Sequence, residues 1–97
     1  MPSYITLVKW TDQGIRNVKD SPKRADAMRE MAKKTGVTVK EVYWTLGHYD
    51  VVTVVDAPDD QAVTAMLLST GSLGNVRTQC LRAFGTGEMS AILGKMK

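Results

Sequence analysis

The 97-residue chain has one cysteine and one histidine. It therefore builds no internal disulfide and, within one chain, no four-ligand zinc site from Cys80 and His48. No apolar run approaches the ~20 residues that a bilayer crossing requires, and Met1-Pro2-Ser3-Tyr4 lacks the basic-then-apolar pattern of a cleaved leader. The expectation is a cytoplasmic chain that meets no membrane and holds no metal or cofactor. Hydrophobic residues at 43% and charged residues at 24% exclude long disorder, a collagen-like repeat or a disulfide scaffold. At this length there is one core, so residues 1–97 read as a single domain.

Charge is unevenly spread. Residues 1–40 carry nine Lys/Arg against four Asp/Glu, residues 41–76 five acids and no base, and residues 77–97 four bases against Glu88. The basic set Lys19, Lys23, Arg24, Lys33 and Lys34 is interleaved with Asp20, Asp26 and Glu30, which is the pattern of a solvated helix face rather than of a nucleic-acid surface.

What is present is strongly punctuated. Tyr4 to Trp10 is β-branched and aromatic and stops at Thr11-Asp12-Gln13-Gly14, which predicts a strand. Ser21-Pro22 starts a helix whose apolar stripe, Ala25, Met28, Met31 and Ala32, ends at Gly36. Val37 to Leu46 and Val51 to Val55, separated by Gly47-His48-Tyr49-Asp50, predict an antiparallel hairpin. Ala57-Pro58-Asp59-Asp60 opens a second helix that buries Ala62, Val63, Met66 and Leu67 and breaks at Gly71 or Gly74. Val76 to Phe84 is a last strand, and Thr86-Gly87-Glu88 caps a short terminal helix.

The order strand, helix, strand, strand, helix, strand is that of a ferredoxin-like α+β fold. It has a four-stranded antiparallel sheet, helices on one face and an extra C-terminal helix. If Ile5, Leu7, Val52 and Val54 point to the helices, then Thr6, Val8, Trp10, Val51, Thr53 and Val55 lie on the bare face. A bulge at Lys40-Glu41 leaves the faces of Tyr43 and Trp44 open. Both faces are too apolar for water, so the expected partner is a second copy packed sheet against sheet, as in a dimeric α+β barrel or a larger homo-oligomer. On that phase, Thr53→Lys is expected to dissociate the oligomer.

Five segments together resemble the GYD domain family: Trp10-Thr11-Asp12-Gln13-Gly14-Ile15-Arg16, Asp20-Ser21-Pro22-Lys23-Arg24, Gly47-His48-Tyr49-Asp50, Ala57-Pro58-Asp59-Asp60 and Gly71-Ser72-Leu73-Gly74-Asn75-Val76-Arg77-Thr78. The resemblance covers essentially the whole chain and implies a ferredoxin-like fold with little defined biochemistry. In the family pattern the position between Gly and Tyr is variable, and His48 occupies it here, which shifts the weight to Tyr49, Asp50 and Arg77.

The Gly47–Asp50 turn reads either as a proton-transfer cluster of imidazole, phenol and carboxylate or as turn chemistry. The glycines at 71 and 74 follow a helix and lead into a strand, the wrong order for a phosphate loop. Trp10, Tyr43, Trp44 and Phe84 line either a ligand cavity or the core. Arg77 pairs with a ligand carboxylate, with Asp50 or across subunits. Cys80 reads as an inert buried thiol.

The functional expectation is a homo-oligomeric domain that binds or senses a small organic molecule, with Trp10, Tyr43, Trp44, His48, Tyr49, Asp50 and Arg77 as candidate contacts. A cofactor-independent oxygenase or isomerase and a purely structural assembly unit are the alternatives. RNA binding is set aside because Val51-Val52-Thr53-Val54-Val55 offers no stacking aromatics.

Overall fold

The structure, a computed structural model, describes residues 1–97. β1 (Ser3–Trp10) stops at Thr11, whose hydroxyl accepts the Gly14 N–H at 3.1 Å and so caps α1 (Asp12–Arg16). A 3-10 turn at Val18–Asp20 leads into α2 (Ser21–Lys34), with Pro22 in the first turn, where a missing N–H costs nothing. α2 ends in a Schellman motif: Gly36 adopts φ +79°, and the N–H groups of Gly36 and Val37 return to the carbonyls of Lys33 and Ala32 at 3.2 and 3.0 Å.

β2 (Thr38–Trp44) and β3 (Val51–Asp56) follow. Leu46 falls outside the strand and is fully exposed. The Asp59 carboxylate accepts the Ala62 N–H at 2.8 Å and caps α3 (Asp60–Ser72), which runs through Gly71 and stops before Gly74. β4 (Val76–Ala83) and α4 (Thr86–Leu93) complete the chain.

The sheet order is β2-β3-β1-β4 with every neighbouring pair antiparallel. α2 packs against β2 and α3 against β4, which gives the ferredoxin-like α+β arrangement. The register slips at Lys40, between Val39 and Glu41, where the sequence suggested a bulge.

The two faces are the reverse of the sequence reading. Tyr4, Thr6, Val8, Val51, Thr53 and Val55 are buried beneath the helices, whereas Ile5, Leu7, Val52 and Val54 lie on the open face and are only half-buried. Alternation reports a period of two but not its sign, and with apolar residues in both sets nothing in the strands themselves decides between them. Thr53 is 2% exposed, so Thr53→Lys places an unpaired charge in the interior and unfolds the chain rather than separating subunits.

Packing is tight at one end of the sheet. Tyr4, Ala32, Val37, Val55, Ala57, Val63 and Met66 form one buried cluster. α4 carries no buried residue, and its Met89, Ile92 and Leu93, with Met96 just beyond it, all face solvent.

At the packed end the Tyr4 hydroxyl donates to the Asp60 carboxylate. That bond, then burial, pushes the phenol from 10.0 up to about 12. The folded chain thus holds this proton more tightly than the unfolded chain. The resulting stability is intact below pH 10 and is lost as pH rises towards 12. Chemical denaturation of wild type and Tyr4→Phe at neutral pH and above pH 11 checks this: the gap between them should narrow at the higher pH.

Candidate functional site

The other end of the sheet is hollow. Between the sheet, α2 and α3 lies a cavity of about 120 Å³. Its floor comes from alternate strand positions: Val42, Thr53 and Thr6 form one cross-strand row, and Trp44, Val51, Val8 and Thr78 the next. Its roof is the inner stripe of α2, including Ala25, Met28 and Met31, with Leu67 and Thr70 of α3. Trp10, Arg24, Leu73 and Asn75 close the far end. α2 approaches β2 through a bond from the Trp44 indole N–H to Ser21 Oγ at 2.8 Å.

The cavity wall is held by long-range polar ties. The Thr11 N–H reaches the Asn75 carbonyl at 3.1 Å, and its hydroxyl donates to the Gly74 carbonyl at 2.6 Å. Gln13 Nε2 donates to Leu73 O at 3.1 Å and to Asn75 Oδ1 at 2.9 Å. Arg24 Nη2 donates to Gly14 O at 3.2 Å. Gly74, at φ +85°, makes the turn that brings the 73–75 carbonyls round to α1.

One residue of the lining and its cross-strand neighbour carry chemistry. Thr6 is 1% exposed, and its Oγ1 is buried with no hydrogen-bond partner. The group opposite it on β4 is Cys80, whose thiol is a weak partner. Partial desolvation raises the pKa of that thiol and outweighs the opposing pull of the neighbouring Thr6 hydroxyl, whose approach to the sulfur falls short of a well-formed hydrogen bond. Cys80 is exposed rather than buried, but a raised pKa keeps it protonated and unreactive at neutral pH.

The sequence candidates divide between the two faces. Trp10 and Trp44 line the cavity. Asp50 serves its end of the sheet from behind: Oδ2 accepts the Trp10 N–H at 2.9 Å, its N–H donates to Val8 O at 2.8 Å, and its carbonyl accepts the Thr45 N–H at 2.9 Å. The carboxylate thus fixes where β1 ends, and it makes no ion pair with Arg77.

Tyr43, Tyr49 and Arg77 belong to the open face. The Tyr43 hydroxyl donates to Glu41 Oε2 at 3.1 Å, which raises the phenol pKa. The Tyr49 hydroxyl donates to Gln79 Oε1 at 2.9 Å, and Lys9 Nζ lies 5.8 Å from the Tyr49 ring centre. Arg77 stands directly opposite Lys9 on the neighbouring strand. Both line a shallow, polar recess of about 210 Å³. His48 is exposed, its ring 6.4 Å from that of Tyr49 and tilted by 49°. Phe84 is also exposed, under the Arg82 guanidinium at 4.6 Å. Imidazole, phenol and carboxylate thus point to separate tasks rather than to one proton-transfer centre.

Sequence reasoning missed Thr6, Thr53, Thr78, Ser21 and Arg24 as a site. The available signal was threonine recurring at alternate positions of otherwise apolar strands, together with Arg24 beside Ala25 and Met28 on the buried stripe.

The role of Asp50 is testable. Asp50→Ala should cost about 2 kcal/mol by stranding the Trp10 N–H, and Asp50→Asn, which retains an acceptor oxygen, less than half of that. Urea denaturation midpoints check the order, and equal losses for the two variants would contradict it.

The sequence matches the GYD domain over residues 4–93. A Thermus thermophilus protein named "Glutamine synthetase and cystathionine beta-lyase binding protein" is 35% identical over 94 residues, which is 96% of this chain and 99% of that one. A crystal structure of a Thermus thermophilus protein superposes with a TM-score of 0.57 at 26% identity, over 89% of this chain and 96% of that one. The feast or famine regulatory protein of M. tuberculosis, complexed with L-methionine, superposes with a TM-score of 0.67 at 21% identity. That match covers 89% of this chain and only 52% of the regulator, so the chain spans about half the regulator's length and shares its fold. On the extent of the family match and the 35% identity, the chain belongs to the GYD domain family.

Proposed function

We propose that this chain is a homo-oligomeric cytoplasmic domain that binds a small molecule between its sheet and helices and works by sensing rather than by catalysis. The observation that carries this reading is the cavity of about 120 Å³, whose mostly apolar walls hold one charged group, Arg24, and a few neutral polar ones, Ser21, Thr53, Thr70, Asn75 and Thr78. Pockets for small ligands have this make-up, apolar walls with a few convergent polar groups.

Catalysis finds less support, because the Asp50 carboxylate is engaged by backbone and His48 has no hydrogen-bonded partner on the 47–50 turn. The fold also occurs in a regulator complexed with L-methionine, and a relative carries a name that states binding to two enzymes. Contact with other proteins is the corresponding output here.

The partner proposed first is a second copy. Only 13 of 97 residues are buried, and the open sheet face (Ile5, Leu7, Val52, Val54, Tyr43 and Leu81) together with α4 leaves more apolar surface than a monomer keeps in water. A two-fold pairing of this face covers it.

Titration with benzyl alcohol, followed by amide chemical shifts, tests the cavity. The expected changes centre on Thr6, Val8, Thr53 and Met28, and Ala25→Leu, which fills the space, should suppress them. Shifts scattered over the surface and unchanged by Ala25→Leu would contradict the reading.

A further inference from the structure

We infer that the cavity takes a small carboxylic acid, its apolar body lodged against the sheet and its carboxylate on Arg24; this rests on the ligand-binding reading above. Size sets the first limit. A cavity of about 150 Å³ accommodates a benzene-sized molecule, so one of about 120 Å³ holds a compact body, such as a single ring or a short branched chain.

The lining sets the charge. Of its nineteen residues, Arg24 alone is charged, and no aspartate or glutamate is among them. Arg24 is half-buried, and none of the chain's four ion pairs includes it. One of its N–H groups is taken by the Gly14 carbonyl at 3.2 Å, which fixes the guanidinium against α1. A guanidinium carries five donors and stays charged at any physiological pH. Held partly out of water without an anion, it is a charge lacking its counterpart. A carboxylate supplies two acceptor oxygens in the planar spacing that matches the guanidinium fork.

The walls and floor fit the same ligand. The lining holds no second cation beside Arg24, so a singly charged acid suits the site better than a polyanion. Trp44, tied to Ser21 at 2.8 Å, keeps α2 and hence Arg24 in place over β2.

The test compares phenylacetate with its neutral isostere phenylacetamide, by calorimetric titration of the full chain at low and high salt. The expected result is at least tenfold tighter binding of the acid by wild type, a preference that shrinks with salt. Arg24→Gln should erase the preference, and Arg24→Lys should keep part of it. Equal affinity of wild type for acid and amide would overturn the carboxylate assignment and leave the cavity reading standing. Binding of neither compound would overturn both. If Arg24→Gln does not fold, because it loses the Gly14 tie, the acid and amide comparison in wild type and in Arg24→Lys decides the matter alone.

Discussion

Gly14→Ala should be among the most damaging single-methyl additions in the chain. A Cβ at this position would stand 1.9 Å from the Asn75 carbonyl oxygen and 2.9 Å from its carbon, distances that no side-chain rotation relieves because both atoms are backbone. Gly14 is buried, and it lies where Thr11, Asn75 and Arg24 are tied together. The methyl group must therefore push α1 off the 73–75 turn and open the far end of the cavity. The expected cost is about 3 kcal/mol, the upper part of the range for overpacking a well-fitted site. Gly71→Ala is the matched control, because nothing lies within 4 Å of the added atom and the residue is inside α3. There the change should stabilise by up to about 1 kcal/mol through helix propensity. Denaturation midpoints of the two variants should fall on opposite sides of wild type.

Leu7→Lys and Val52→Lys should separate subunits without unfolding them. These residues sit directly opposite each other on neighbouring strands of the open face, and both are only half-buried in the single chain, so a lysine in a lone subunit extends into water at little cost. In a two-fold pair each substitution places two unpaired charges within an apolar contact. The dissociation constant should rise roughly a hundredfold or more, equivalent to about 3 kcal/mol. Sedimentation velocity reads the mass and circular dichroism the retained fold. Thr53→Lys, one residue away but facing the helices, should instead lose its circular dichroism signal. A Val52→Lys protein that keeps the wild-type mass would remove the open face from the assembly.

The elements were legible because their ends carry strong chemistry. Pro22, Gly36 and Asp59 each mark a terminus by a backbone requirement that few other residues meet, and the structure uses them so, whereas Ser21 caps nothing and accepts the Trp44 indole N–H instead. The sign of the β1 alternation was not legible, since Ile5 and Leu7 are as apolar as Tyr4 and Val8. Only the cover of α2 and α3, a tertiary fact, decides between them.

The site was half-legible. Trp10 and Trp44 were singled out for their size, and both line the cavity. Arg24 was lost among interleaved charges on α2, because sequence spacing does not reveal that this guanidinium reaches Gly14 of α1 and lines the cavity. The turn-chemistry reading of Asp50 has its carboxylate on nearby backbone amides, yet the amide it holds is that of Trp10, forty residues away. Local turn rules give no access to such a partner.

Native mass spectrometry of the freshly purified chain tests the central claim most directly, because it reads subunit number and bound mass together. The expected spectrum is a dimer or larger homo-oligomer that carries a reproducible small extra mass on each subunit, absent from Ala25→Leu. A bare monomer at micromolar concentration would contradict both the open-face pairing and the occupied cavity.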